Sequence, residues 1–159
     1  MYLLLKLRLN YILIPLLVII TGSAASYFAQ TGKGWYNTLN LPNWTPANST
    51  MVFVWAGIFL LGSISVLIIW NKYSRQRNFG VIMGLFILNA MINVGWNILF
   101  FGHQQLGLAF FQAILLFSNL MLLIVLIWKF CPPAASLLFP YSIWVLFSTI
   151  LTLNVWLIN

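Results

Sequence analysis

The 159-residue chain contains no aspartate and no glutamate. That absence excludes paired-carboxylate acid–base catalysis, an Asp-oriented catalytic triad and an acidic metal shell. Charge of any sign is scarce: seven Lys and Arg leave 4% charged residues, 63% are hydrophobic, and mean hydropathy is +1.02. A water-exposed surface needs charges of both signs, so the solvent around most of this molecule is lipid. The single cysteine, Cys131, excludes an intrachain disulfide. Lying before Pro132-Pro133 at the end of an apolar run, it reads as a small interfacial residue. The single histidine, His103, has no Cys, Asp or Glu partners and makes a poor metal site; it reads as a loop residue, with a haem axial ligand as the alternative. No covalently held cofactor is expected. The pI is near 10, yet the cations form no dense patch or stripe, and nucleic-acid binding has no support.

What is present is apolar length. Five stretches reach the roughly 20 residues that a spanning helix needs: 9–28, 51–70, 79–101, 106–130 and 133–158. The expected fold is an all-α membrane protein, a five-transmembrane-helix bundle in one domain over 1–159, with a long aromatic first loop. Pro132-Pro133 stops the fourth helix through missing N–H groups and ring clash. Gly102-His103-Gln104-Gln105 forms a tight polar hairpin between the third and fourth. Lys6, Arg8 and the small residues Ser23-Ala24-Ala25-Ser26 also resemble a secretory signal, but the apolar run continues to Tyr27-Phe28, which favours a retained helix. Lys6, Arg8, Lys72, Arg75, Arg77 and Lys129 share one side of the bundle and Lys33 alone takes the other. The positive-inside bias puts the N-terminus in the cytoplasm and the first loop and C-terminus on the opposite side in a bacterial membrane, without naming an organelle.

The first loop, about 29–50, combines a flexible Gln30-Thr31-Gly32-Lys33-Gly34 with rigid or aromatic Trp35-Tyr36, Leu41-Pro42, Trp44 and Pro46. Aromatic rings can rest at headgroup level, but large rings interleaved with prolines read better as a lid over the helix ends. Polar groups inside the spans are costly unless paired. Asn89, Asn93 and Asn97 recur every four residues on one face of the third span, beside Trp96 and Phe100. The fourth span adds Gln112 and Asn119 on one face. The fifth adds Tyr141, Ser148 and Thr152 in a stripe near Trp144, and the second has Trp55 one turn before Phe59. Amides of this kind commonly join helices by hydrogen bonds, a role open to Asn89 and Asn119. Asn93, Trp96, Gln112, Trp55 and Trp144 read as a cavity for a flat aromatic ligand that stacks on rings and takes a few directed hydrogen bonds. Gly80 and Gly84 permit close helix approach, and homodimerisation through the third span is an expectation.

Trp35-Tyr36, Leu41-Pro42-Asn43-Trp44-Thr45-Pro46, Val54-Trp55 and Trp70 resemble the TspO/translocator protein (peripheral-type benzodiazepine receptor) family. So do Asn93-Val94-Gly95-Trp96 with Phe100-Phe101-Gly102, Pro140-Tyr141-Ser142-Ile143-Trp144 with Phe147, and Trp156. The match runs through nearly the whole chain in order. The resemblance implies a five-helix bundle, commonly dimeric, whose pocket opens toward the first loop and binds porphyrins, haem and, in some members, sterols and synthetic isoquinoline or benzodiazepine ligands. It assigns Trp55, Asn93, Trp96 and Trp144 to the pocket and Trp35 and Trp44 to its mouth. Three departures from the family pattern occur. Gln112 stands where the family usually has Asp, Leu153 and Leu157 replace the Tyr and basic residue of the sterol-recognition pattern, and Leu151-Thr152 replaces Leu-Asn.

The leading functional expectation is a membrane protein that binds a porphyrin- or haem-type tetrapyrrole as receptor, sensor or transporter. Its candidate ligand-binding residues are Trp35, Tyr36, Trp44, Trp55, Asn93, Trp96, Phe100, Gln112 and Trp144, with Lys33 the cation on the loop side for propionates. No catalytic or metal-ligating residue is assigned. The alternatives are light- and oxygen-dependent porphyrin breakdown, with Trp35 or Trp44 as the redox-active residue, and a membrane scaffold with an incidental cavity. Ion pumping is disfavoured because no ionisable group lies mid-span.

Overall fold

The computed structural model describes residues 9–159; Lys6 and Arg8 lie outside the described residues. Five helices are long and apolar enough to cross a membrane. They are α1 (Asn10–Thr31), α3 (Asn48–Tyr73), α4 (Phe79–Asn97, prolonged by a π-helical turn over Ile98–Gly102), α5 (Leu106–Trp128) and α7 (Phe139–Ile158). Two short helices complete the set: α2 (Lys33–Tyr36) in the first loop and α6 (Pro132–Ser136) before α7. No strand occurs among the described residues.

The central element is α5, which packs along α4 on one side and α7 on the other. Its inward positions Ala109, Ala113, Leu116, Leu120, Leu123 and Ile127 are buried. They alternate steps of four and three, the spacing that keeps one face of a helix against its neighbours. The outermost helix is α1, which buries only Asn10, Ile14 and Thr21 and turns Leu16, Leu17, Ile19 and Ile20 outward. Such a helix is apolar all round because both of its environments are apolar. α1 packs on α3 and α4, while α3 meets α4 and α7 only sparsely by backbone. Large side chains bridge that interior.

The fifth span covers Pro132–Ile158 and opens with α6: Pro132 and Pro133 occupy its first turn, where a missing N–H costs nothing, and Leu137-Leu138 carries the chain into α7. Two expectations are corrected by the chain path. Cys131 is 3% exposed and sits in a core cluster with Ile69, Ile82, Ile127 and Ala134, so it is interior, not interfacial. The segment 30–34 is helical, not a flexible loop: α1 runs to Thr31 and α2 starts at Lys33. Gly32 joins them because a Cβ there would press on the backbone and Cβ of Phe101, at 2.7 Å. The beginning of the first loop is thereby held to the π-helical turn.

Candidate functional site

The asparagine ladder of α4 turns its amides into the bundle. Asn89 Nδ2 donates to Asn119 Oδ1 on α5 (2.9 Å), and Asn119 Nδ2 donates to the Leu85 carbonyl (3.3 Å). The Tyr141 hydroxyl on α7 donates to Asn89 Oδ1 (2.9 Å) and accepts from Asn93 Nδ2 (3.4 Å). Asn89 and Asn119 thus join helices, while Asn93 shares the same network one turn nearer the first loop. Trp55 reaches Tyr141 from α3, ring edge to ring face, with centroids 6.0 Å apart. Tyr141 therefore links α3, α4, α5 and α7. Tyr141 belongs to the polar stripe of the fifth span but is absent from the candidate ligand-binding residues; its position three residues before Trp144 is the available signal.

Nearer the first loop the interior is aromatic. Trp96 stacks on Phe100 with centroids 4.8 Å apart and planes 19° from parallel. Trp35 meets Phe100 edge-on at 5.7 Å, and Tyr36 lies tilted on Phe100 and Phe101. The π-helical turn supplies this geometry: widening the helix by one residue brings both Phe100 and Phe101 onto Trp96. Leu39 and Leu41 pack on the same cluster, so the segment after α1 does cover the helix ends. Burial of the Tyr36 phenol raises its pKa above the ordinary value of 10.0. The middle of the loop is latched: Asn159 Oδ1 accepts from the Asn40 N–H (2.8 Å), and Asn159 Nδ2 donates to the Asn40 carbonyl (3.0 Å).

A third group lies along α7. Trp144 stacks on Phe147 at 5.1 Å, and Trp44, 46% exposed, covers Phe147 edge-on at 5.6 Å. Trp144 Nε1 is buried and finds no acceptor among the described residues. Trp55 and Trp144 pack on one buried cluster that contains Ile58, Leu116, Tyr141 and Val145. Gln112 occupies the α4–α5 seam, where Nε2 donates to the Ile92 carbonyl (3.0 Å). A Cβ on Gly95 would collide with that amide. Gly95 is therefore the space that lets Gln112 cross to α4.

The interior so assembled has rings, amides and the two phenols of Tyr36 and Tyr141, while His103, just past the π-helical turn, is exposed. A sequence profile described as the TspO/MBR family matches residues 11–157. The chain belongs to the TspO/MBR family. It is similar to the Tryptophan-rich protein TspO of Bacillus cereus, 34% identical across 80% of this chain and 82% of that one. A second Tryptophan-rich protein TspO, from Chlorobaculum tepidum, is 30% identical across 90% and 91%. The Translocator protein of Homo sapiens is 28% identical across 93% and 87%. The neutral amide of Gln112 donates to a main-chain carbonyl, which a carboxylate could not serve.

Proposed function

We propose that this chain binds a flat tetrapyrrole of the porphyrin or haem type between α3, α4 and α7, beneath the first loop, as a receptor, sensor or transporter. The observation that carries this reading is Trp144 Nε1, a buried donor without an acceptor beside the stacked Trp144–Phe147 pair. A buried donor left unpaired costs about 1–3 kcal/mol. A porphyrin offers what is missing: nitrogen and carboxylate acceptors, and a plane for Trp55, Trp96 and Trp144 to face. Trp35, Tyr36 and Phe100 close over it and Trp44 covers the α7 side, while Asn93 and Gln112 fix the polar walls. Lys33 stands on the loop side for a propionate. The relative called Translocator protein fits a moved cargo.

The grip is on the macrocycle, since rings and amides line the proposed site. Haem and metal-free protoporphyrin IX should therefore bind with similar affinity. Lys72, Arg75, Arg77 and Lys129 lie at the bundle end remote from Lys33, which supports a cytoplasmic N-terminus. A Cβ on Gly80 or Gly84 would meet nothing within 4 Å. That open face of α4 is where we place a homodimer contact, and Gly84→Leu should reduce the dimer on native gels.

Protoporphyrin IX titrated into nanodisc-embedded protein, followed by Soret absorbance, tests the ligand assignment. Trp144→Phe keeps a ring and removes the donor, and should weaken binding about fivefold. Trp55→Ala should weaken it about tenfold. Affinities equal to the parent in both variants would remove this pocket from consideration.

A further inference from the structure

At the end of the bundle away from the first loop, an open cavity of about 620 Å³ lies between the start of α1 and the end of α3. Leu9 and Asn10 line it from α1; Trp70, Asn71, Lys72, Ser74 and Arg75 line it from α3 and the turn that follows. Its polar wall is held in place. Asn10 is 2% exposed and donates Nδ2 to Asn71 Oδ1 at 3.0 Å, and Asn71 Nδ2 donates to the Tyr11 hydroxyl at 3.0 Å. Trp70 is fixed edge-on against Phe79, with centroids 5.6 Å apart.

Lys72 and Arg75 have no side-chain counter-ion in a sequence without a carboxylate residue. Their anion comes from outside the chain. Arginine and lysine beside a hydroxyl and amides match a phosphate, which accepts several charge-assisted hydrogen bonds at once. The volume is in the range of small-molecule sites, roughly 300–1,000 Å³, and far exceeds what one phosphate fills. An indole where α3 leaves the hydrocarbon, with exposed Leu9 opposite, adds apolar walls beside the cationic ones.

We propose that this cavity is a binding site for a phosphate-bearing anion, the headgroup of an anionic phospholipid held between α1 and α3. Basic pockets between spanning helices at a membrane face recognise such headgroups. Trp70 is about 22 Å along α3 from Trp55, so the site does not depend on the tetrapyrrole assignment.

Native mass spectrometry of the full chain in detergent, titrated with phosphatidylglycerol or phosphatidylcholine, tests it. One phosphatidylglycerol should be retained and phosphatidylcholine should not. A Lys72→Gln/Arg75→Gln variant should lose roughly thirtyfold in affinity, and Lys72→Arg/Arg75→Lys should keep it. Arg77→Gln/Lys129→Gln removes two cations from the same end but not from this cavity and should bind as the parent does. Competition by millimolar inorganic phosphate would identify the phosphate itself as sufficient; resistance to it would identify the lipid as the source. Equal losses in both glutamine pairs, or full affinity in Lys72→Gln/Arg75→Gln, would overturn the site.

Discussion

Asn89 is tolerable in lipid because each end of its amide is engaged, by Asn119 on one side and Tyr141 on the other. Interhelical pairs of this kind average about 0.6 kcal/mol, with a ceiling near 1.7. A double-mutant cycle of Asn89→Leu and Asn119→Leu, read by thermal unfolding in detergent, should return a coupling within that range. The four-residue spacing of the α4 asparagines was legible in the sequence, since periodicity within one helix defines a face. The partners of that face were not, because the register between helices is set by packing across the bundle. Gly95 shows the same limit: it resembled a family motif residue, yet its role depends on Gln112, 17 positions later. Gly95→Ala should destabilise the bundle by about 1–3 kcal/mol through crowding against that amide. Adding Gln112→Ala should return part of the loss, giving a double variant more stable than the sum of the singles.

The five spanning helices were readable because each exceeds the width of the hydrocarbon layer and its apolar run has no competing explanation. The short elements were not. A four-residue helix such as α2 is invisible to a span-length hydropathy window, and glycine or proline flanks signal a break even where they begin a helix. The π-helical turn has no sequence signal beyond its aromatic residues. Two residues past its end lies Gln104, whose φ of 56° is the only positive value on a non-glycine residue among the described residues. Left-handed backbone costs a side-chain-bearing residue about 1–2 kcal/mol, so Gln104→Gly should raise the unfolding midpoint. The first loop has a pH signature through Tyr36. Its folded pKa lies above the usual 10.0, so the folded state keeps a proton that the unfolded chain releases. That contribution is complete below about pH 10 and fades as pH rises through the folded value. Tyr36→Phe should show a smaller fall in thermal midpoint across that alkaline interval than the parent.

For the molecule as a whole, the missing acids determine the most. They were the first thing legible, they indicated lipid as the solvent, and they leave the cations to be matched by anions from outside. What they could not indicate was the fate of single neutral residues. Cys131 seemed interfacial from its neighbours in sequence, yet α5, α6 and α3 enclose it. A membrane-permeable maleimide should therefore label the folded protein slowly and the unfolded protein fast, and the labelling rate reports global opening.

The aromatic interior has an optical consequence. Trp35 and Trp96 share Phe100, Trp44 and Trp144 share Phe147, and Trp55 touches Tyr141. Excitation absorbed by one ring migrates to its neighbours before it is emitted. The glow of this protein therefore belongs to a community of chromophores, and a quencher seated anywhere among them darkens several together. Emission signals binding here without giving its address, which only a chain stripped to one indole could supply.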